Sequence, residues 1–289
     1  MVDISKNEEQ LASEIMGKVN LSKDKANLEK NVINLSKCIV NLSKKSKVDI
    51  GSTKAQVVFV IDQSGSMSDV CSDGTLQKII TMLLPLALTF DDNGVAEVYQ
   101  FNDRSHKIAD LDLNNYEDYV SRHMEWPSST TKYSGPMADI LKDYFGINCS
   151  GSNVKYEKPR KAGFFSKLFG KKKSAEQDSS TEVANGSMAD TSKYPVFVLY
   201  ITDGDIDFDD QDRMNTLVRE SSKVNCFIQF IGADKRSQFK YLRELDDLSG
   251  RSCDNTGFTK FDDMASISDE DLYNAVLGQY AEWLKVKGF

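Results

Sequence analysis

The sequence predicts a doubly wound α/β domain, a mostly parallel sheet with helices on both faces, preceded by an N-terminal helical extension. Three observations predict it. Two apolar runs, Val57 to Ile61 and Val196 to Ile201, show no polar alternation, as strands buried on both faces require. Strand-like and helix-like segments alternate from Ala55 to the C-terminal end. Both apolar runs end in oxygen-rich turns, Asp62-Gln63-Ser64-Gly65-Ser66 and Thr202-Asp203-Gly204-Asp205, and ligands of such sheets sit beyond the carboxyl ends of the strands.

The elements follow in order. Residues 1–50 are rich in Lys, Asn and Ser and lack aromatics; Leu28, Val32, Leu35, Ile39 and Leu42 recur at helical spacing. That stripe predicts an amphipathic helix packed on the main domain, in preference to a coiled-coil arm, because it covers only about two heptads. Residues 51–289 form the main domain. Gln56 to Ile61 is the first buried strand. Thr75 to Thr89 reads as a helix that Pro85 kinks or splits. Val95 to Phe101 is a second strand, and Lys107 to Leu111 a short edge strand. Tyr116 to Met124 and Ser134 to Phe145 read as helices. Residues 148–194 are polar and break the rhythm, which marks a largely disordered insertion within the sheet. Pro195 to Thr202 resumes it as a buried strand. A helix over Asp210 to Lys223, a strand over Cys226 to Ile231 and a helix over Ser237 to Leu248 follow. A weak strand over Gly257 to Phe261 and a closing helix over Asp269 to Lys285 complete the chain.

Composition excludes several functions. A formal charge of −8 argues against nucleic acid as the main partner, since phosphate binding needs a broad basic surface. Five cysteines, an odd number without CxxC spacing, argue against a disulfide framework or structural zinc and favour a reducing compartment. Two histidines, His106 and His123, leave little material for imidazole-based catalysis. The N-terminal residues read as no signal peptide, and the longest apolar run, Ile79 to Phe90, is short for a membrane span. A cytoplasmic location is the expectation.

The pattern D-x-S-x-S at Asp62 to Ser66 leads from a strand into a helix, and Ile201-Thr202-Asp203-Gly204 ends a second strand at the same edge. Between them lies the polar loop Ser128 to Tyr133. Together these residues resemble the metal-ion-dependent adhesion site of von Willebrand factor A (vWA) domains. More narrowly they are similar to the tellurium-resistance branch, through Asp62-Gln63-Ser64-Gly65-Ser66-Met67, Leu84 to Ala87, Phe90-Asp91-Asp92 and Thr131-Lys132-Tyr133. The likeness covers about residues 50–285 outside the insertion. It implies a vWA fold and a metal bound by Ser64, Ser66 and Thr131 hydroxyls, with Asp62 and Asp203 acting directly or through water. One departure is that many members carry glycines before the loop threonine, where this chain has Ser129 and Thr130. Thr130 is therefore an alternative ligand, but Tyr133 keeps the family spacing for Thr131.

The chemistry of such a set points to Mg²⁺, with Mn²⁺ or Ca²⁺ as alternatives. Mg²⁺ takes six hard oxygen ligands and keeps several waters. Three hydroxyls and two carboxylates leave the ion electrophilic, with a position for a partner's Asp or Glu. Gly65 is expected to let the backbone turn tightly between the two serines. The expected function is metal-dependent protein binding without catalysis, in a stress, tellurium-resistance-like or phage-related system. One alternative is a Mg²⁺-dependent phosphoester hydrolase or phosphotransferase; against it, Ser64 occupies the position where a second acid would protonate the leaving group. Another is a scaffold whose metal only stabilises the fold.

Two further signals stand apart. The acidic run from Asp203 to Asp212 fails as an EF-hand, with Phe208 in place of the turn glycine and Met214 in place of the bidentate Glu. It reads as a solvated rim and a helix N-terminus, with a secondary Ca²⁺ site as the sharper alternative. Residues 158–173 combine lysines with Phe164, Phe165, Leu168 and Phe169, which suits either a membrane-surface or partner-binding segment or a loop whose aromatics tuck onto the domain.

Overall fold

A computed structural model describes residues 8–17, 25–91, 93–150, 153–157, 194–204, 206–234, 237–260 and 269–289. Helices α1 (Glu8–Met16) and α2 (Lys25–Ser46) precede the sheet. Then come β1 (Gln56–Asp62), α3 (Ser68–Ser72), α4 (Thr75–Phe90), β2 (Glu97–Phe101), β3 (Ser105–Lys107), α5 (Tyr119–His123) and α6 (Ser134–Phe145). A hairpin of β4 (Ile147–Ser150) and β5 (Asn153–Tyr156) is followed by β6 (Val196–Thr202), α7 (Gln211–Ser221), β7 (Cys226–Gly232), α8 (Lys240–Asp246), β8 (Thr256–Lys260) and α9 (Asp269–Lys287).

The main sheet has the order β3-β2-β1-β6-β7-β8, parallel except for the edge strand β3. The pleat sends Val57, Phe59 and Ile61 into one core and Val58 and Val60 into the other. Helix α4 belongs to the first core and α7 to the second. The connections leaving β1 and β6 therefore turn to opposite faces. Adjacent strands whose connections diverge open a crevice at their carboxyl ends, the switch point of a doubly wound sheet. Asp62 ends β1 at that point, and Asp203 directly follows β6.

Helix α4 is apolar nearly all round, which a helix tolerates only when both sides are covered. The sheet covers one side and the N-terminal extension the other. Leu28, Val32, Leu35 and Ile39 of α2 are buried in the same core as β1 and α4. Each such aliphatic side chain contributes roughly 1.5–3 kcal/mol on burial. The helical stripe thus closes the domain's own core. On the same side, the Tyr273 hydroxyl of α9 donates to the Met82 carbonyl of α4 at 2.6 Å.

The structure departs from the sequence reading in several details. Helix α4 runs unbroken through Pro85. The first residues assigned to the insertion are ordered strands: β4 and β5 pair antiparallel, with Ile147 opposite Tyr156. Residues 151–152 and 158–193 of the insertion, including the basic aromatic segment 158–173, lie outside the described residues. Among the described residues no disulfide forms, and no helix is long and apolar enough to cross a membrane.

Candidate metal centre

Asp62 is fully buried at the end of β1 and anchors the turn that follows it. Its Oδ1 accepts the Ser64 backbone N–H at 2.8 Å, and its Oδ2 accepts the Thr202 hydroxyl at 2.7 Å. The chain then enters a 3-10 turn, Gly65–Met67, which Met67 pins by full burial. This turn brings the Ser64 and Ser66 hydroxyls to 3.0 Å from one another, Ser64 buried and Ser66 facing solvent.

Thr202 organises the neighbouring strand end. A threonine hydroxyl has one proton and two lone pairs. Here the proton goes to Asp62, and the oxygen accepts the Gly204 N–H at 3.0 Å. The Tyr133 hydroxyl lies 2.7 Å away and, with the Thr202 proton committed, is the donor. All three capacities are used in a fully buried place. Asp203 is thereby set between a saturated Thr202 and Gly204, whose φ of 99° is outside the range of ordinary L residues.

The third loop is laced to the other two. Ser128 N–H donates to the Gln63 carbonyl at 2.9 Å, and Gly65 N–H to the Ser129 carbonyl at 3.2 Å. Asp207 N–H donates to the Thr131 carbonyl at 2.9 Å. Thr131 is buried and Thr130 exposed, so of the two threonines it is Thr131 that the loop turns inward. Ser129 takes a φ of 69°, which favours glycine and gives a physical reason for glycines at this point of the loop.

Burial, and then the nearby Asp203 charge, push the Asp62 carboxyl up to about 7, against the hydrogen bonds from Thr202 and Ser64. The two carboxylate charges repel each other, and a divalent cation held by this set would offset both costs. The donors fit a hard cation: carboxylates and hydroxyls, without sulfur or imidazole. Among the described residues no group of three or more His, Cys, Asp or Glu is arranged to hold a metal. The candidate set instead combines two carboxylates, Asp62 and Asp203, with the hydroxyls of Ser64, Ser66 and Thr131.

Two expectations need correction. Gly65 does not use glycine's conformational freedom: its φ is not positive, and an added Cβ would meet only the Ser129 carbonyl at 3.7 Å, an ordinary contact. Gly65→Ala is therefore expected to change stability by less than about 1 kcal/mol and to leave the metal response intact, measurable by urea unfolding with and without Mg²⁺. Asp210 stands at the N-terminus of α7, as expected, but it is not part of a solvated rim. It is buried and accepts both the backbone N–H, at 2.8 Å, and the hydroxyl of Ser134 at the start of α6. This cross-cap ties the Thr131 loop to the turn after Asp203. Sequence spacing hides it, because the partners lie 76 residues apart. Thr202 is likewise a functional residue that the acid beside it masks in the sequence; the signal for it is a threonine ending an otherwise apolar and aromatic strand.

The chain is similar to several known proteins. The uncharacterized protein YcbR of Bacillus subtilis (strain 168) is 26% identical over 244 residues, covering 83% of this chain and 81% of its own. Two structures of proximal thread matrix protein 1 from the mussel byssus, one described with a zinc-occupied MIDAS motif, match with a TM-score of 0.42 and 14% identity. They cover 80% of this chain, which spans about half (47%) of theirs. The family described as vWA-TerF-like, the vWA found in the TerF C terminus, matches residues 54–288. From the first buried strand to the closing helix, the chain belongs to the vWA-TerF-like family.

Proposed function

We propose that this vWA domain holds a divalent cation, Mg²⁺ first among candidates, and uses it to bind an acidic side chain of a partner protein. The observation that carries the reading is the pair of buried carboxylates, Asp62 and Asp203, beside the Ser64 and Ser66 hydroxyls at the switch point of the sheet. Asp62, Ser64, Ser66, Thr131 and Asp203 would hold the ion. When bound, it supplies a Lewis-acidic position that a carboxylate can complete. Ser64 and Thr131 present neutral oxygens, so the set carries at most two negative charges against the cation's two positive ones. Five side chains also leave at least one of six coordination positions open, which an anionic ligand can fill. The protein's own part is positional: Thr202 fixes Asp62, Tyr133 in turn holds Thr202, and Asp210 fixes the Thr131 loop.

Phe208, 87% exposed, stands on the turn after Asp203, and Trp126, 72% exposed, stands on the loop before Thr131. Large exposed aromatics beside a site are typical anchors for protein partners. This surface supports a binding role over turnover. The working context proposed is a cytoplasmic stress system of the tellurium-resistance type, consistent with the family.

The test combines stability and capture. In the wild type, Mg²⁺ is expected to raise the melting temperature and to be required for recovery of a partner from lysate, with EDTA reversing both. Asp62→Ala is expected to lose both responses. A captured set unchanged by EDTA and by Asp62→Ala would rule out the binding role. A melting response without metal-dependent capture would leave only a structural ion.

A further inference from the structure

Beside the metal centre lies a cleft of about 410 Å³ that the site itself does not use. Its walls continue the two loops that carry the hydroxyls. On one side are Cys71 and Ser72, in α3 just after the Ser64–Ser66 turn; on the other are Trp126 and Pro127, just before the Thr131 loop. The cleft adjoins the carboxylates closely enough for their charge to be felt: after burial, the charges of Asp62, Asp73 and Asp203 push the Cys71 thiol up to about 11.

The cleft is preformed. The Gln77 side chain donates to the Tyr116 carbonyl at 2.6 Å and accepts the Val120 N–H at 3.0 Å, pinning the outer wall to α4. Gln63 donates to the Trp126 carbonyl at 2.8 Å. A wall already held by hydrogen bonds costs little ordering on binding. Its lining is mainly apolar, with Met124 and the exposed Trp126, and its rim is acidic, with Glu117, Asp118 and Glu125. Asp118 pairs with Arg122 at 2.9 Å. Glu117 accepts from the Tyr116 hydroxyl at 3.5 Å, and Glu125 lies 3.8 Å from His106 Nε2, with its side chain 70% exposed.

An apolar trough with an acidic lip complements a side chain with a long aliphatic stem and a cationic head. The stem lies on Met124 and the Trp126 face, and the head reaches the carboxylates. Resting on the reading of the metal centre given above, we propose that the partner segment is bipartite: an Asp or Glu completes the metal, and an Arg or Lys a few residues away fills this cleft. Specificity then comes from the second residue, since any exposed carboxylate could reach the ion.

The test uses the full chain in Mg²⁺ and short Gly/Ser-rich synthetic peptides carrying one Glu, with Arg placed at increasing separations from it. Trp126 is one of only two tryptophans and the other, Trp283, is buried, so intrinsic fluorescence reports the cleft directly. The best Glu/Arg peptide is expected to bind about tenfold tighter than its counterpart with Glu in place of Arg. That preference should vanish in the Glu117→Gln/Glu125→Gln variant, which should keep its Mg²⁺-induced rise in melting temperature. Equal affinity for both peptides, a preference that survives the double substitution, or no saturable signal with any peptide would each overturn the proposal. Replacing the peptide's Glu by Gln separates the two levels. If binding is then unchanged, and EDTA has no effect either, the metal-carboxylate reading fails; if Glu matters and Arg does not, only the cleft fails.

Discussion

Replacing Gly204 by alanine is expected to destabilise the protein by about 3 kcal/mol or more, the sum of a disfavoured backbone and a steric overlap. The φ of 99° lies where an L residue is strained even in open space. The space is also filled. An added Cβ would overlap Phe239 Cδ1 and stand 2.9 Å from Cε1 and 3.0 Å from Ser237 Oγ. Phe239 cannot retreat easily: it is buried, itself at a φ of 51°, and its ring also covers Gly232 at the end of β7. For a chain of this size the loss corresponds to a fall in melting temperature of roughly 6–12 °C. Differential scanning calorimetry without metal would measure it. Because the overlap involves one side chain, Gly204→Ala combined with Phe239→Ala should cost less than the two single losses added. Strict additivity would mean that Phe239 does not hold this turn.

Thr202→Val is expected to cost about 3 kcal/mol and to weaken Mg²⁺ binding at least tenfold, although valine matches threonine in shape. The change removes one hydroxyl that serves three buried groups: the Asp62 carboxylate, the Gly204 N–H and the Tyr133 hydroxyl. Each group left unsatisfied in the interior costs about 1–3 kcal/mol. Thr202→Ser keeps the hydroxyl and should restore most of the stability and most of the metal affinity. Chemical denaturation and calorimetric titration with Mg²⁺ check the two effects separately. A valine variant with wild-type metal affinity would show that Asp62 is positioned without Thr202. Tyr133 belongs to the same unit, and its backbone carbonyl is held in turn by the Tyr200 hydroxyl at 2.9 Å.

These two residues show how unevenly the site can be read from the chain. Asp62, Ser64 and Ser66 are legible as candidates because they alternate within five residues: the spacing itself implies one turn at one strand end. Asp203 is legible because a second apolar strand ends in an acid. Thr131 could be placed only by family resemblance, since nothing local separates it from Thr130. The structure separates them by burial, through the bond from Asp207 to its carbonyl. Gly65 and Gly204 both sit in the motifs, and sequence gives no ground for ranking them. Their φ values do: Gly204 needs to be glycine and Gly65 does not.

What the sequence determined by itself is the architecture. Hydrophobic periodicity is a property of neighbouring residues, so continuous apolar runs specify strands buried on both faces, and a stripe at helical spacing specifies a buried face on α2. The same locality explains why the two strand ends could be matched in advance: parallel strands of one sheet present their carboxyl ends to one edge. The supports of the site belong to tertiary structure alone. Thr202 against Asp62, Asp210 against Ser134, Phe239 against Gly204 and the Trp126 cleft against the metal loops all join residues far apart in the chain. Such pairings leave no periodic trace, because their energy depends on which surfaces the fold brings into contact and not on the order in which residues are linked.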